Sequence, residues 1–218
     1  MLSAQSSYKS YNYLGFKKKN HYFGLTVAYN QSGFKIEHSK RFIQNPVYKI
    51  NEGISNPGLT LSMVNNFKIG DYFDFRLLPS VSLSYRKINY TFIATGEQKT
   101  DLIESVFGEL PMLIRFTSAP YKDKRFYVLA GVKYSYDFSS NSRSDKNKFD
   151  IIRISPHDFQ VEVGIGMQFY MPFFIFSPEF KFSHGLGNLL IYDKNLVEST
   201  IIEKLFSKII TFSFHFEG

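Results

Sequence analysis

Two adjacent pairs in this chain carry side chains of the kind that do nucleophilic or acid–base chemistry, Ser183-His184 and His157-Asp158. A serine relay needs hydroxyl, imidazole and carboxylate converging within hydrogen-bond reach. Both pairs lie where apolar residues recur at every second position, and neighbours along a strand point to opposite faces. The members of each pair are therefore expected to diverge. The five histidines, His21, His38, His157, His184 and His215, fall on separate segments without metal-ligand spacing. There is no phosphate-binding loop, dinucleotide fingerprint or calcium loop. The absence of Cys excludes disulfides and thiolate metal sites. The expectation is a non-enzymatic protein with no cofactor and no small-molecule substrate.

The larger group of chemically active residues is ionic. Asp74, Glu109, Asp137, Glu162 and Glu179 share one face of the alternating segments with Arg76, Arg115, Lys133 and Lys181. Each charge buried without a partner costs several kcal/mol, so a near balance of acids and bases predicts a paired network. In a narrow interior such a network is a plug. The competing reading is a proton or ion path.

The elements that must hold these charges are strands. Period-two alternation gives eight of them. Phe23, Leu25, Val27, Tyr29 form the first apolar face and Leu59, Leu61, Met63 the second. The third runs Phe73, Phe75, Leu77, Pro79, Val81, Leu83, Tyr85, and the fourth Leu110, Met112, Ile114, Phe116. The rest begin at Phe126, Phe159, Phe174 and Ile210, the seventh reading Phe174, Phe176, Pro178, Phe180, Phe182. Pro79 and Pro178 put local register in question, because proline cannot donate to a ladder.

No stretch of the 218 residues approaches the roughly 18 consecutive apolar residues of a membrane helix. Strands of about 9–11 residues can still cross. Short turns centre on Ile69-Gly70-Asp71, Ala119 to Lys124 and Tyr170-Met171-Pro172, and longer segments fall at roughly 33–56, 86–104, 139–156 and 185–204. That alternation gathers the long loops at one end. A soluble lipocalin-like barrel would turn the apolar face inward around a ligand. Here the other face is the small one, with Gly24, Ala28, Thr60, Ser80, Ser82, Gly131, Gly164, Gly166 and Ser183. With 24 Phe and 15 Tyr, the apolar face oversupplies any single cavity. The predicted fold is an all-β, eight-stranded antiparallel transmembrane β-barrel with short periplasmic turns and longer extracellular loops. It sits in the outer membrane with both termini periplasmic.

Residues 20–217 form this barrel, and 1–19 are read as a periplasmic segment. Ser3-Ala4-Gln5 reads like the tail of an export-signal cleavage region, an ordinary chain start being the alternative. Of the net charge of +7, Lys17-Lys18-Lys19 and the run Lys122 to Arg125 place most at one rim. The expected partner there is lipid with anionic heads, not nucleic acid; an acidic periplasmic protein is the sharper alternative. Segment 185–204 holds Gly185-Leu186-Gly187-Asn188 and a helix-start pattern at Asn195, with Leu196, Val197 and Ile201 in an apolar stripe. This loop either contacts a partner or folds over the barrel mouth.

The run Ser177-Pro178-Glu179-Phe180-Lys181-Phe182-Ser183-His184-Gly185-Leu186-Gly187-Asn188-Leu189-Leu190 resembles the PorT family, called SprT in gliding bacteria, of the type IX secretion system. Tyr72 to Pro79, Glu109 to Phe116 and the closing strand Ser207 to Glu217 are similar to it in the same order. The resemblance implies an integral outer-membrane protein of Bacteroidota, needed to export proteins with C-terminal sorting domains through contacts with other secretion components. It carries over no catalytic residue, and leaves open an assembly factor or a working part of the machine. One departure from the usual barrel-insertion signal is that Glu217-Gly218 follow the aromatic Phe216. The alternative function is an OmpX-like adhesion or envelope-structural barrel whose extracellular loops bind partners. A passive channel ranks last.

Overall fold

The computed structural model describes residues 12–38, 48–50, 54–92, 98–139, 153–191 and 202–218. One short helix, α1 (Asn12–Lys17), precedes the strands. The strands are β1 (His21–His38), β2 (Tyr48–Ile50), β3 (Ile54–Lys68), β4 (Phe73–Leu77), β5 (Ser80–Phe92), β6 (Gln98–Thr117) and β7 (Lys124–Asp137). After these come β8 (Arg153–Ile154), β9 (His157–Tyr170), β10 (Ile175–Gly185), β11 (Leu190–Ile191) and β12 (Ile202–Glu217).

All main pairings are antiparallel, and β12 returns to pair with β1, which closes the sheet. Counting β4 and β5 as one interrupted strand gives a ring of eight. Its stagger follows from the register. His21 pairs with Phe67, then in turn Phe75, Ile114, Ala130, Val163, Phe182 and Ile210 follow, and Ile210 pairs with Gln31. One circuit thus climbs ten residues along β1 (31 − 21). A stagger of that size in eight strands tilts them by roughly 40° and leaves an interior only wide enough for side chains.

Burial is inverted relative to a soluble protein. Leu61 is 64% exposed, whereas Arg76 is 0% exposed. The apolar face points outward on every strand of the ring, as lipid requires, and the hydroxyl and charged face points in.

Pro79 interrupts the ladder without shifting it. Asn65↔Leu77 precedes the break and Ser62↔Ser80 follows it, an advance of three residues on each strand. The flanking groups stay bonded: Leu78 N donates to Pro111 O at 3.1 Å and Met63 N to Pro79 O at 3.0 Å. Pro178 is likewise in step, opposite Phe214. The register shifts instead at Ser55/Gly58 and at Glu37/His38.

The strands run further than the alternation suggests. Much of 33–56 and 86–104 and the end of 185–204, expected as connections, is ladder: β1 reaches His38, β5 pairs with β6 from Thr91↔Gln98, and β12 starts at Ile202. Beyond the membrane the outer face no longer meets lipid, so the period-two signal fades while the backbone bonds continue. The β8–β11 pair adds a small second sheet.

Residues 12–19 pack onto the barrel. Helix α1 lies against the short-turn mouth, with Phe16 packed among Tyr22, Tyr170 and Ile175. Tyr22 Oη and Lys68 Nζ both donate to Phe16 O, closing the helix C-terminus.

Candidate functional site

Alternation on adjacent strands stacks the lumenal charges into one connected ladder of alternating sign. It starts at Asp74, whose Oδ2 accepts from Arg115 Nη2 at 2.7 Å and Nε at 3.0 Å. Arg115 Nη1 lies 3.9 Å from Glu217 Oε1, which accepts from Arg76 Nη2 at 2.6 Å. Arg76 Nη1 donates to Glu179 Oε2 at 2.9 Å, and Lys181 Nζ lies 3.7 Å from Glu179 Oε1. Lys181 continues to Glu162 at 3.6 Å, Glu162 to Lys133 at 3.3 Å, and Lys133 to Glu109 at 3.5 Å. Asp137, further along β7, accepts from Ser105 Oγ at 2.9 Å and from Ser139 N. Eight of the nine charges singled out in the sequence thus lie on the ladder, and Asp137 stands apart from it.

Three residues of this site escaped the sequence reading. Glu217 bridges both arginines, and the available signal was its place in the alternation, two positions beyond the inward His215. His215 is fully buried, with Nδ1 2.6 Å from Thr26 Oγ1 and Nε2 3.2 Å from Glu179 Oε1. Tyr127 donates to Glu179 Oε2 at 2.8 Å. Its ring also packs in a cluster with Val64, Leu78, Leu113 and Leu129. Gly166 is what makes room: a Cβ there would collide with the Tyr127 ring.

The ladder runs along the wall of β6, β7, β9 and β10 and crosses the lumen at Arg76. The facing wall, from β1, β3, β5 and β12, is lined by small hydroxyls and amides. Asn30 Nδ2 donates to Thr60 Oγ1 at 2.8 Å and to Ser82 Oγ at 2.9 Å, and Ser32 and Ser84 join the same cluster. Between the walls lies a small cavity of ≈ 20 Å³, into which Thr26, Thr211, Ser213, Glu109, Lys133 and Glu162 project. Below it, the three-centre contact of Arg76, Glu179 and Glu217 crosses the lumen with all three side chains at 0% exposure.

The nucleophile-like pairs separate as alternation demands. Ser183 Oγ donates inward to Glu162 Oε1 at 2.7 Å, whereas His184 faces out, stacked on Phe182 and tilted against Phe206. Asp158 faces in and accepts from Gln160 and Ser207, whereas His157 faces out beside Tyr134. Among the described residues no group of His, Asp and Glu is arranged to hold a metal ion.

The segment after β10 is anchored to the barrel. Gly185 is buried at the end of β10, and its backbone lies against Ser207. Asn188 Oδ1 accepts from Leu190 N at 3.0 Å and Leu205 N at 2.9 Å, and Leu189 is buried. Leu186 is exposed, and a Cβ on Gly187 would meet open space. Leu196, Val197 and Ile201 lie outside the described residues.

The chain is similar in structure to Ail of Yersinia pestis, at 10% identity over 92% of this chain and 100% of that one, with a TM-score of 0.38. It is similar to OprG of Pseudomonas aeruginosa at 13% identity over 91% and 95%, with a TM-score of 0.47. Neisserial surface protein A aligns at 9% identity over 91% and 97%, with a TM-score of 0.46. No curated protein matches the chain. A family profile described as an outer membrane protein beta-barrel domain matches residues 4–190. With its closed eight-stranded ring, lipid-type exterior and ionic interior, the chain belongs to the outer-membrane protein β-barrel domain family.

Proposed function

We propose that this protein is a sealed, non-enzymatic outer-membrane barrel that acts through contacts at its rims, as a component or assembly factor of the type IX secretion system. The observation carrying the sealed reading is the buried Arg76–Glu179–Glu217 contact across the lumen. A barrel closed this way is poorly suited to passing cargo or solutes through itself. The resemblance of the 177–190 run and the closing strand to the PorT family supports the secretion role. On this reading both termini, α1 and the turns at Gly70 and Lys122 are periplasmic. Deleting the protein should abolish export of proteins carrying C-terminal sorting domains while the remaining secretion components still reach the membrane. Normal export in the deletion strain refutes the reading.

The second reading is an adhesion or envelope-structural barrel. It is favoured by Leu186 and Phe138, exposed at 62% and 60% near the long-loop end, where a partner outside the cell would meet them. Normal export together with loss of surface binding or envelope integrity selects it.

A further inference from the structure

We propose that the outward wall of β1, β12 and β10, at the long-loop end, binds the phosphate groups of a phosphorylated glycolipid in the outer leaflet. Outward positions on β12 read Phe216, Phe214, Phe212, Ile210, Lys208, Phe206, Lys204. Phe216 to Lys208 spans eight residues, about 21 Å along the barrel axis at about 3.4 Å per residue and a tilt of roughly 40°. The lipid-facing band is about 25 Å tall, so Lys208 sits just under its upper edge and reaches the headgroups by snorkelling.

The register gathers more cations around it. Lys35 pairs with Phe206 and so stands diagonally between Lys204 and Lys208; the His184 ring, opposite Lys208 on the other neighbour, lies tilted against Phe206 at 6.0 Å. Diagonal neighbours on one sheet face lie about 7–8 Å apart, and like charges so placed repel. Glu37, with Oε2 3.9 Å from Lys204 Nζ, offsets one of the three lysines among the described residues. At the same end of β7 and β9 the outward side chains are instead Tyr134, Tyr136, Phe138 and Phe159, in ring contacts of 5.0–5.3 Å. That is the usual aromatic girdle. Lysines replace it on this wall alone among the described strands β7, β9, β10, β12 and β1.

A phosphate monoester, carrying about −1.5 to −2 charges at neutral pH, matches this cluster better than a singly charged phosphodiester. Phe206, Phe182 and Ile210 beside the lysines give its acyl chains an apolar wall. The choice of leaflet rests on the orientation proposed above. The phosphate chemistry does not, and binding in detergent reads the chemistry alone.

The test is native mass spectrometry of the full chain in micelles titrated with bisphosphorylated lipid A. Enzymatically dephosphorylated lipid A and dioleoylphosphatidylglycerol are run in parallel. Each lysine near a charged headgroup contributes about 1 kcal/mol, about fivefold in affinity. The triple variant Lys35→Gln, Lys204→Gln, Lys208→Gln should therefore bind lipid A on the order of 100-fold more weakly. Replacing Lys18, Lys19 and Lys122 by Gln at the other rim should leave binding unchanged. If the triple variant fails to fold, the single Lys208→Gln should show the fivefold loss. Unchanged binding in either variant, an equal loss in the rim control, or equal binding of either comparison lipid overturns the proposal.

Discussion

Replacing Arg76 by Met tests the charge ladder where it is tightest. Arg76 is the nearest cation to two carboxylates, at 2.9 Å from Glu179 and 2.6 Å from Glu217. Glu179 would keep Tyr127, His215 and Lys181. Glu217 would keep Arg115 Nη1 at 3.9 Å, so most of the damage falls there. Removing one partner of a buried pair costs about 3–5 kcal/mol, because the other charge stays desolvated. With a urea slope of about 1–3 kcal/mol per molar, the unfolding midpoint should drop by about 2 M. Loss of the compact, fast-migrating band on unheated gels reads this, as does Tyr fluorescence in a chain without Trp.

The control is the weaker cation. Lys181 contacts its acids at 3.6 Å and 3.7 Å, and both acids have closer partners, Ser183 and Lys133 for Glu162 and Arg76 for Glu179. Lys181→Met should thus cost about 1–2 kcal/mol, nearer a single charged hydrogen bond. Adding Glu217→Gln to Arg76→Met should recover more than half the loss, since it removes the stranded charge. An unchanged midpoint for Arg76→Met refutes the argument, as does a larger loss for Lys181→Met.

The same contact predicts conductance: Arg76→Ala barrels in planar bilayers should pass small ions where the native barrel is silent, and equal silence in both would deny that this contact seals the lumen. Gly70→Cys and Gly187→Cys, both at open positions in a chain without Cys, should differ on whole cells. An impermeant maleimide should label residue 187 and spare 70, and the opposite pattern would invert the barrel. Asn188→Ala removes the acceptor of two backbone N–H groups, and should cost about 1–2 kcal/mol and speed proteolysis between β10 and β12. Protease resistance at the native level would show that the segment holds without it. Gly166→Val should overpack against Tyr127, costing about 1–3 kcal/mol, and a normal midpoint would mean that the ring has somewhere else to go.

The legible part of this fold was whatever repeats with period two inside the membrane. There lipid on one side and a narrow lumen on the other force a residue-by-residue choice, so the ring of eight and eight rungs of the ladder could be read from alternation. Legibility stopped where that forcing stops. Beyond the membrane β1, β5, β6 and β12 continue as ladder where lipid no longer imposes that choice on the sequence. Helix α1 has six residues, too few for a helical period to show, and depends on Tyr22 in the next strand and on Lys68, far along the chain, to hold its end. Glu217 was hidden by position: next to the terminus it looked like an interruption of the aromatic closing strand. Its parity, even steps from Ser213 and His215, already placed it inward.

That parity ties the closing strand to the interior, with consequences for how the barrel is completed. Outward, β12 presents Phe212, Phe214 and Phe216 to lipid; inward, the same few residues deliver Ser213, His215 and Glu217 to the lumen. Gly24↔Glu217 is the rung at which β12 meets β1, and Ile175↔Glu217 the rung at which it meets β10. Closing the ring therefore brings in the carboxylate that bridges Arg76 and Arg115. Before β12 docks, those two guanidinium groups have Asp74 and Glu179 between them; afterwards a third acid joins. The strand that seals the sheet also delivers the carboxylate that bridges the two arginines, and a barrel lacking it would leave Arg76 Nη2 without its 2.6 Å acceptor. A Glu217→Gln chain should accordingly insert but assemble slowly into the compact form, with Glu217→Asp intermediate. Assembly of Glu217→Gln at the native rate would show that this bridging carboxylate plays no part in closure.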